Sequence, residues 1–317
     1  MKTTKLKIVF MGTPDFAVHS LQRIVASEFT VVAVVTAPDK PSGRGRKPTE
    51  SAIKQYAVSE NLPVLQPENL KSEAFLSSLS TLQADVFVVV AFRMLPKEVW
   101  QMPKLGTFNL HASLLPDYRG AAPINWAIIN GESKTGVTTF LIDEKIDTGA
   151  VLFQEAVSIN ASDTFGSLYA KLSELGAGLV LKTLESMYVG KIEPKKQKET
   201  HFINQAPKLT PENTRIDWHQ DAVSIHNKIR GLNPFPKAWC LLVNSQSELK
   251  VNILETRPDV ENSTLKPGEL KTTKKQLWIG TQKGHLEVLQ LQLPGKKIMP
   301  TSALLNGFQF DTDAYFT

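Results

Sequence analysis

A chain of 317 residues is too long for one ordinary hydrophobic core and suits two, at roughly 100 to 200 residues per domain. Its 42% hydrophobic and 21% charged residues, with Gly and Pro spread along the chain, exclude a disordered or fibrous protein, and one cysteine, Cys240, excludes internal disulfides and any multi-thiolate metal site. The net charge of +5 is unevenly placed: residues 1–189 carry 18 basic and 18 acidic side chains, whereas 190–317 carry 18 against 13, an excess that fits either a polyanionic partner or ordinary surface solubility.

The elements alternate from the start. Lys5 to Phe10 reads as a short strand ending in the turn Gly12-Thr13-Pro14. Its apolar run, Ile8 to Met11, is too short for a signal peptide, and no window approaches the roughly 18 apolar residues of a membrane helix, so a cytoplasmic protein without a membrane partner is expected. Asp15 is placed as an N-cap before Phe16, Val18, Leu21, Ile24 and Val25 at helical spacing, and Phe29 to Thr36 is a β-branched run of the kind buried on both faces. Helices over Ala52 to Glu60 and Ser72 to Leu82 flank a short strand at Pro63 to Leu65, and Asp85 to Ala91 is the most apolar strand of the chain. This order predicts an α/β fold with a doubly wound, mostly parallel sheet, whose ligands sit beyond the carboxyl ends of the strands.

Thr138 to Ile142 and Val151 to Ile159 read as strands around the loop DEKIDTG, and Thr164 to Gly190 as a long helix with a leucine stripe at 168, 172, 175, 179 and 184. Gly190 to Ala206 has few apolar residues and reads as a linker. A helix over Ala222 to Arg230 precedes short alternating runs at 238–243, 250–255, 276–281 and 285–292, which predict a small barrel, with the oligonucleotide-binding type as one candidate. The expected division is a domain at 1–189, a linker at 190–206 and a barrel domain at 207–317.

The polar residues that stand out lie between Phe108 and Gly149. In FNLHASLLPDYRGAAP, Asn109 and His111 are two apart, so on a strand they project from one face. Downstream, Asp147 is followed by Thr148 and Gly149. Transfer of a one-carbon acyl group to an amine needs a donor for a developing oxyanion and a route for the amine proton. A neutral amide such as Asn109 supplies the first, and a histidine partnered by an aspartate supplies the second. Each feature alone has a structural reading as well: N-x-H as a satisfied pair, D-T-G as an aspartate turn, and Ser113 to Pro116 as a rigid proline turn. Pro38 to Pro48 carries Lys40, Arg44, Arg46 and Lys47 with one acid, Asp39, which suits either a phosphate-gripping loop or a flexible solvated one. The GTPDF segment lacks the G-x-G-x-x-G spacing of a dinucleotide site, which disfavours hydride transfer.

FNLHASLLPDYRGAAP with DEKIDTG downstream, IVFMGTPDFA, PDKPSGRGRK, IDWH at Ile216 to His219, GLNPFPKAW at Gly231 to Trp239 and LQLPGKKIM at Leu291 to Met299 together cover nearly the whole chain. In these blocks the sequence resembles the formyltransferases that use 10-formyltetrahydrofolate. The Gly-Arg-Gly loop and the carboxy-terminal blocks are similar to the branch whose acceptor is methionyl-tRNA. The resemblance implies catalytic roles for Asn109, His111 and Asp147, and a folate loop at Ser113, Leu114, Leu115 and Pro116 whose backbone faces the cofactor. It also implies tRNA contact by Lys40, Arg44, Arg46 and Lys47, with Arg44 matching the key arginine. The implied formyl donor is 10-formyltetrahydrofolate and the implied acceptor initiator methionyl-tRNA, with no metal; a monomer is expected. Arg119 is expected to hold its loop. The chain departs from the common pattern at Ala91 to Pro96, where Arg93 stands in a shortened loop expected to border the pterin. A formyltransferase acting on a small amine and a catalytically silent RNA-binding module remain as alternatives.

Overall fold

A strand such as VFVVV carries apolar side chains at every position, so it has to be covered on both faces. The computed structural model describes residues 5–42, 47–198, 203–261 and 263–317, and the apolar runs form the middle of a seven-stranded sheet. Its strands are β1 (Lys7–Gly12), β2 (Thr30–Val35), β3 (Val64–Leu65), β4 (Val86–Val90), β5 (Thr107–His111), β6 (Lys134–Leu141) and β7 (Val151–Ser158), in the order β7-β6-β5-β4-β1-β2-β3. The first five pair in parallel, and β6 runs antiparallel to β5. Every residue of β4 is buried. The chain winds outward from β1 to β3 and then returns to β4 on the other side, which is the expected doubly wound pattern. The order reverses between β1 and β4, where such a sheet opens a crevice at the strands' carboxyl ends, one strand away from β5.

One expectation from this half is corrected. Asp15 does not cap the first α-helix, which spans Val18–Val25 behind a 3-10 turn at Asp15–Ala17. Its carboxylate instead accepts hydrogen bonds from the Tyr169 hydroxyl and the Phe16 N–H, so a tertiary partner outcompetes the local cap. The basic loop has paired arms as well: Lys40–Ser42 runs antiparallel to Lys47–Thr49. Asp39 anchors the base, accepting from Lys54 Nζ at 2.5 Å and Gln66 Nε2 at 2.8 Å. The Lys54 bond, then the Gln66 bond, holds the Asp39 carboxyl below the usual carboxylate range.

The long helix is Phe165–Tyr188, and Gly176 lets it approach β5, because a Cβ there would stand 2.6 Å from Leu110 Cδ2. Among the described residues no helix is long and apolar enough to cross a membrane.

The chain divides into two compact units, neither of them continuous: Met1–Arg119, Thr135–Val157 and Tyr169–Asn204, and Gly120–Lys134, Ser158–Leu168 and Gln205–Thr317. In the second unit the helix Pro123–Ile129 packs on the helix Ala222–Gly231, with Asn125 Nδ2 donating to the Gly231 carbonyl at 2.8 Å. Its strands are β8 (Ala238–Asn244), β9 (Ser247–Asp259), β10 (Leu270–Thr272), β11 (Leu277–Gly280), β12 (His285–Gln292), β13 (Met299–Pro300) and β14 (Tyr315–Phe316). They follow the order β10-β11-β12-β9-β8-β14, with β13 on β12. A bridge between Glu269 and Tyr315, and a 2.9 Å bond from Phe316 N to Gly268 O, join the two ends of that path. The expected small barrel is therefore a nearly closed antiparallel one, filled by Trp218, Ile225, Val251, Leu286 and Phe316.

Asp221 caps the Ala222–Gly231 helix, accepting from the N–H groups of Val223 and Ser224 at 3.0 and 2.9 Å. The Ser224 bonds lower its pKa from the ordinary 3.8. A carboxyl with a depressed folded pKa contributes stability above its unfolded pKa and loses it as the pH falls through the folded one. Asp221→Ala is expected to cost about 1 kcal/mol at neutral pH. In urea unfolding the gap from the native chain should narrow below pH 3.8; a gap unchanged at low pH would contradict the cap.

Candidate functional site

Strand β5 ends the parallel part of the sheet and carries Asn109 and His111. Register pairs Asn109 with Val89 of β4 and with Phe140 of β6, and His111 with Thr138 of β6. The period of two puts both polar side chains on the same face at the strand's carboxyl end. His111 is buried and Asn109 half-buried. The Asn109 amide makes no side-chain hydrogen bond among the described residues.

His111 is held by its Nε2, which donates to the Tyr118 carbonyl at 2.8 Å. A carbonyl only accepts, so Nε2 carries a proton and Nδ1 is the nitrogen left for chemistry. Nδ1 lies 3.7 Å from Asp147 Oδ2, with the two side chains 7% and 14% exposed. That separation suits an ion pair or a proton-carrying group placed between them, and exceeds a direct hydrogen bond. The structure thus brings together His111 and Asp147, 36 residues apart in sequence.

The loop bearing Asp147 is shaped locally. Asp143 Oδ1 accepts from Lys145 N at 3.0 Å and from Thr148 Oγ1 at 2.8 Å, an aspartate turn that accounts for Thr148. Asp147 has φ 55°, in the left-handed region that Asp enters at modest cost. Gly149 passes so near β6 that a Cβ would fall 1.7 Å from the Leu141 carbonyl oxygen. Arg119 Nε donates to the Asp147 carbonyl at 3.0 Å, so in the bonds described the arginine expected to hold its own loop holds the Asp147 loop. Gln197 Nε2 donates to the same carbonyl at 2.9 Å and to that of Gly149 at 2.9 Å.

Of the candidate folate loop, Ser113 and Leu115 are buried, Leu114 and Pro116 half-buried. Thr138 Oγ1 donates to the Ser113 carbonyl at 2.6 Å and accepts from Leu115 N at 3.2 Å, while Gln154 Nε2 donates to the Leu115 carbonyl at 2.8 Å. The Leu114 carbonyl accepts from Asp117 N at 3.2 Å. Several backbone groups expected to face the cofactor therefore bond within the protein, and the loop is rigid on its sheet side. Arg93 also turns to its own chain: its guanidinium donates to the Glu68 carbonyl at 2.9 Å and to that of Pro67, and lies 5.5 Å over the Phe92 ring.

Of the candidate tRNA cations, Lys40 is exposed on one hairpin arm and Lys47 begins the other; Arg44 and Arg46 lie outside the described residues. Sequence reasoning missed Thr138, Gln154 and Gln197. The first two alternate on apolar strands like ordinary strand polar residues, and Gln197 sits in a stretch whose composition marks only a linker. Cys240 is fully buried, which pushes its thiol pKa far up and leaves it inert.

Two family descriptions match the chain: "Formyl transferase" over residues 6–184 and "Formyl transferase, C-terminal domain" over residues 208–309. A methionyl-tRNA formyltransferase from Flavobacterium johnsoniae is 51% identical over 310 residues, covering 98% of each chain. One from Bacteroides fragilis is 48% identical over 320 residues, covering 99% of this chain and 98% of its own. A sugar 3N-formyl transferase solved in the presence of dTDP and 5-N-formyl-THF has the same fold, with a TM-score of 0.66 at 21% identity over 93% of this chain and all of its own.

Thr138→Val keeps the shape of the side chain but strips Leu115 N and Gln154 Nε2 of an acceptor. It is expected to destabilise the protein by about 1–3 kcal/mol in denaturant unfolding; a change near zero would mean the loop is not held from β6.

Proposed function

The chain belongs to the formyl transferase family, and from that premise we propose that it transfers the formyl group of 10-formyltetrahydrofolate to the α-amine of methionine on initiator tRNA. The product is the N-formylmethionyl-tRNA used to begin translation. Full-length identity near 50% to methionyl-tRNA formyltransferases supports this acceptor. The observation that carries the chemistry is the pairing of His111 Nδ1 with Asp147 Oδ2 at 3.7 Å, beside an Asn109 amide on the same strand face.

The amine nitrogen bonds to the formyl carbon, and the carbonyl electrons move onto the oxygen. Asn109 Nδ2 donates to that oxyanion without titrating. The amine then sheds a proton into the gap between His111 Nδ1 and Asp147. The oxyanion's electron pair re-forms the carbonyl as the carbon–nitrogen bond to the folate breaks, and the folate nitrogen leaves as it takes up a proton. Because His111 Nε2 is committed to the Tyr118 carbonyl, the shuttle runs through Nδ1. Ser113 to Pro116 forms the wall against which the folate lies. The cations of the 38–48 segment, Lys40, Arg44, Arg46 and Lys47, meet the acceptor stem, with residues 1–189 carrying the transfer and 207–317 extending the RNA surface. The enzyme acts as a monomer in the cytoplasm and uses no metal.

The purified chain, given 10-formyltetrahydrofolate and charged initiator tRNA, is expected to formylate the methionine and to leave small amines unmodified. Asn109→Ala should lower kcat about 10²- to 10³-fold. His111→Ala and Asp147→Asn should also abolish most turnover while tRNA binding stays near native. Activity confined to small amines would overturn the acceptor; native turnover in the three variants would leave an RNA-binding module. Removing the hairpin cations should raise KM for tRNA and flatten its salt dependence with kcat at saturation retained.

A further inference from the structure

Asp147 is placed by its main chain, and the residue at the centre of that placement is Gln197. In the segment 193–198 every other residue is exposed, whereas Gln197 is half-buried. The segment is tied to β7 where Val151 and Lys195 exchange both main-chain hydrogen bonds at 2.8 Å. Two residues on, antiparallel register brings Gln197 beside Gly149. There Nε2 donates to the carbonyls of Asp147 and Gly149, both at 2.9 Å, while Oε1 accepts from Arg119 Nε at 3.1 Å and from its terminal nitrogen at 2.5 Å.

We propose that Gln197 is a positioning residue for formyl transfer, fixing the Asp147 backbone so that its carboxylate meets His111 Nδ1. This rests on the reading of Asp147 as catalytic. The arrangement specifies an amide. A glutamate has no proton for the two carbonyls, a lysine cannot accept from the guanidinium, and an asparagine is one methylene short. Arg119 donates to the same carbonyl and to Gln197 Oε1, so the two side chains share one anchor and orient each other. The bond from Gln197 reaches Asp147 at its main-chain carbonyl.

The test is kinetic, with the full chain, 10-formyltetrahydrofolate and charged initiator tRNA. Gln197→Ala removes both donors and the acceptor. Gln197→Glu keeps an acceptor for Arg119 and so supports the fold while losing the donors. Both are expected to lower kcat about 10- to 100-fold with KM for each substrate within about twofold of native and with thermal unfolding little changed. In an Asp147→Asn background, followed under single-turnover conditions, Gln197→Ala should add less than about a twofold loss, because the carboxylate it positions is gone. A full multiplicative loss in that background, an effect confined to KM, native kcat in both variants, or unfolding of both would overturn the proposal. Asp147→Asn with native kcat would remove the reading of Asp147 and this proposal with it. An inactive Asp147→Asn beside fully active Gln197 variants would remove this proposal alone.

Discussion

The hydrogen bond from His111 Nε2 to the Tyr118 carbonyl fixes which imidazole nitrogen is turned toward Asp147. An imidazole has two nitrogens, and whichever one is bonded to an acceptor-only group is fixed as a donor. With Nε2 committed, Nδ1 alone faces Asp147, which is the geometry the proposed proton transfer requires. The carbonyl is pinned in turn. Tyr118 has φ 60°, its N–H donates to Asn204 O at 2.6 Å, and Ser113 Oγ donates to Asp117 O at 2.6 Å. A loop with a looser Tyr118 would let the ring turn and exchange its nitrogens.

Asp147 approaches from the other side under a second constraint. A left-handed non-glycine residue costs on the order of 1–3 kcal/mol. Its carbonyl accepts from a guanidinium and from an amide, contributions of about 1.5–3 and about 1 kcal/mol. The bonds are large enough to offset the strain, so the strained conformation is the occupied one. Tyr118 and Arg119 are consecutive: one carbonyl aims the histidine, and the next side chain holds the aspartate loop. The short segment D-Y-R thereby sets both halves of the pair, and a shift there moves them together.

Much of this was legible in the sequence, for physical reasons. Strands buried on both faces must be continuous apolar runs, so β1, β2 and β4 lie within two residues of where the pattern put them. The spacing of Asn109 and His111 gave their shared face, because a strand alternates sides. Contacts between segments distant in sequence left no such mark. Asp15 looked like a cap because a short acid before an apolar period usually is one, and nothing near it announces Tyr169. The arms Lys40–Ser42 and Lys47–Thr49 carry two prolines, which hid a hairpin. Tyr315 and Phe316, which close the barrel, form a strand too short to show a period. Gln197 is the clearest case: an amide holding two carbonyls some fifty residues away has no periodicity or composition of its own.

Acceptor choice has to lie outside this machinery. A sugar 3N-formyl transferase shares the fold at 21% identity, so the sheet itself does not distinguish a sugar amine from an aminoacyl one. What presents the amine must come from elements added to the sheet. The arms Lys40–Ser42 and Lys47–Thr49 are one such element, and Lys54 ties their base by bridging Asp39 at 2.5 Å and Glu50 at 3.1 Å. Those bonds raise the lysine pKa and the lysine lowers that of Asp39, so the anchor keeps its charges from mildly acidic to alkaline pH. A single half-buried pair of this kind adds only modestly to global stability. Its effect is on direction: it fixes where the paired arms leave the sheet, which the proposed contact with a phosphate backbone requires.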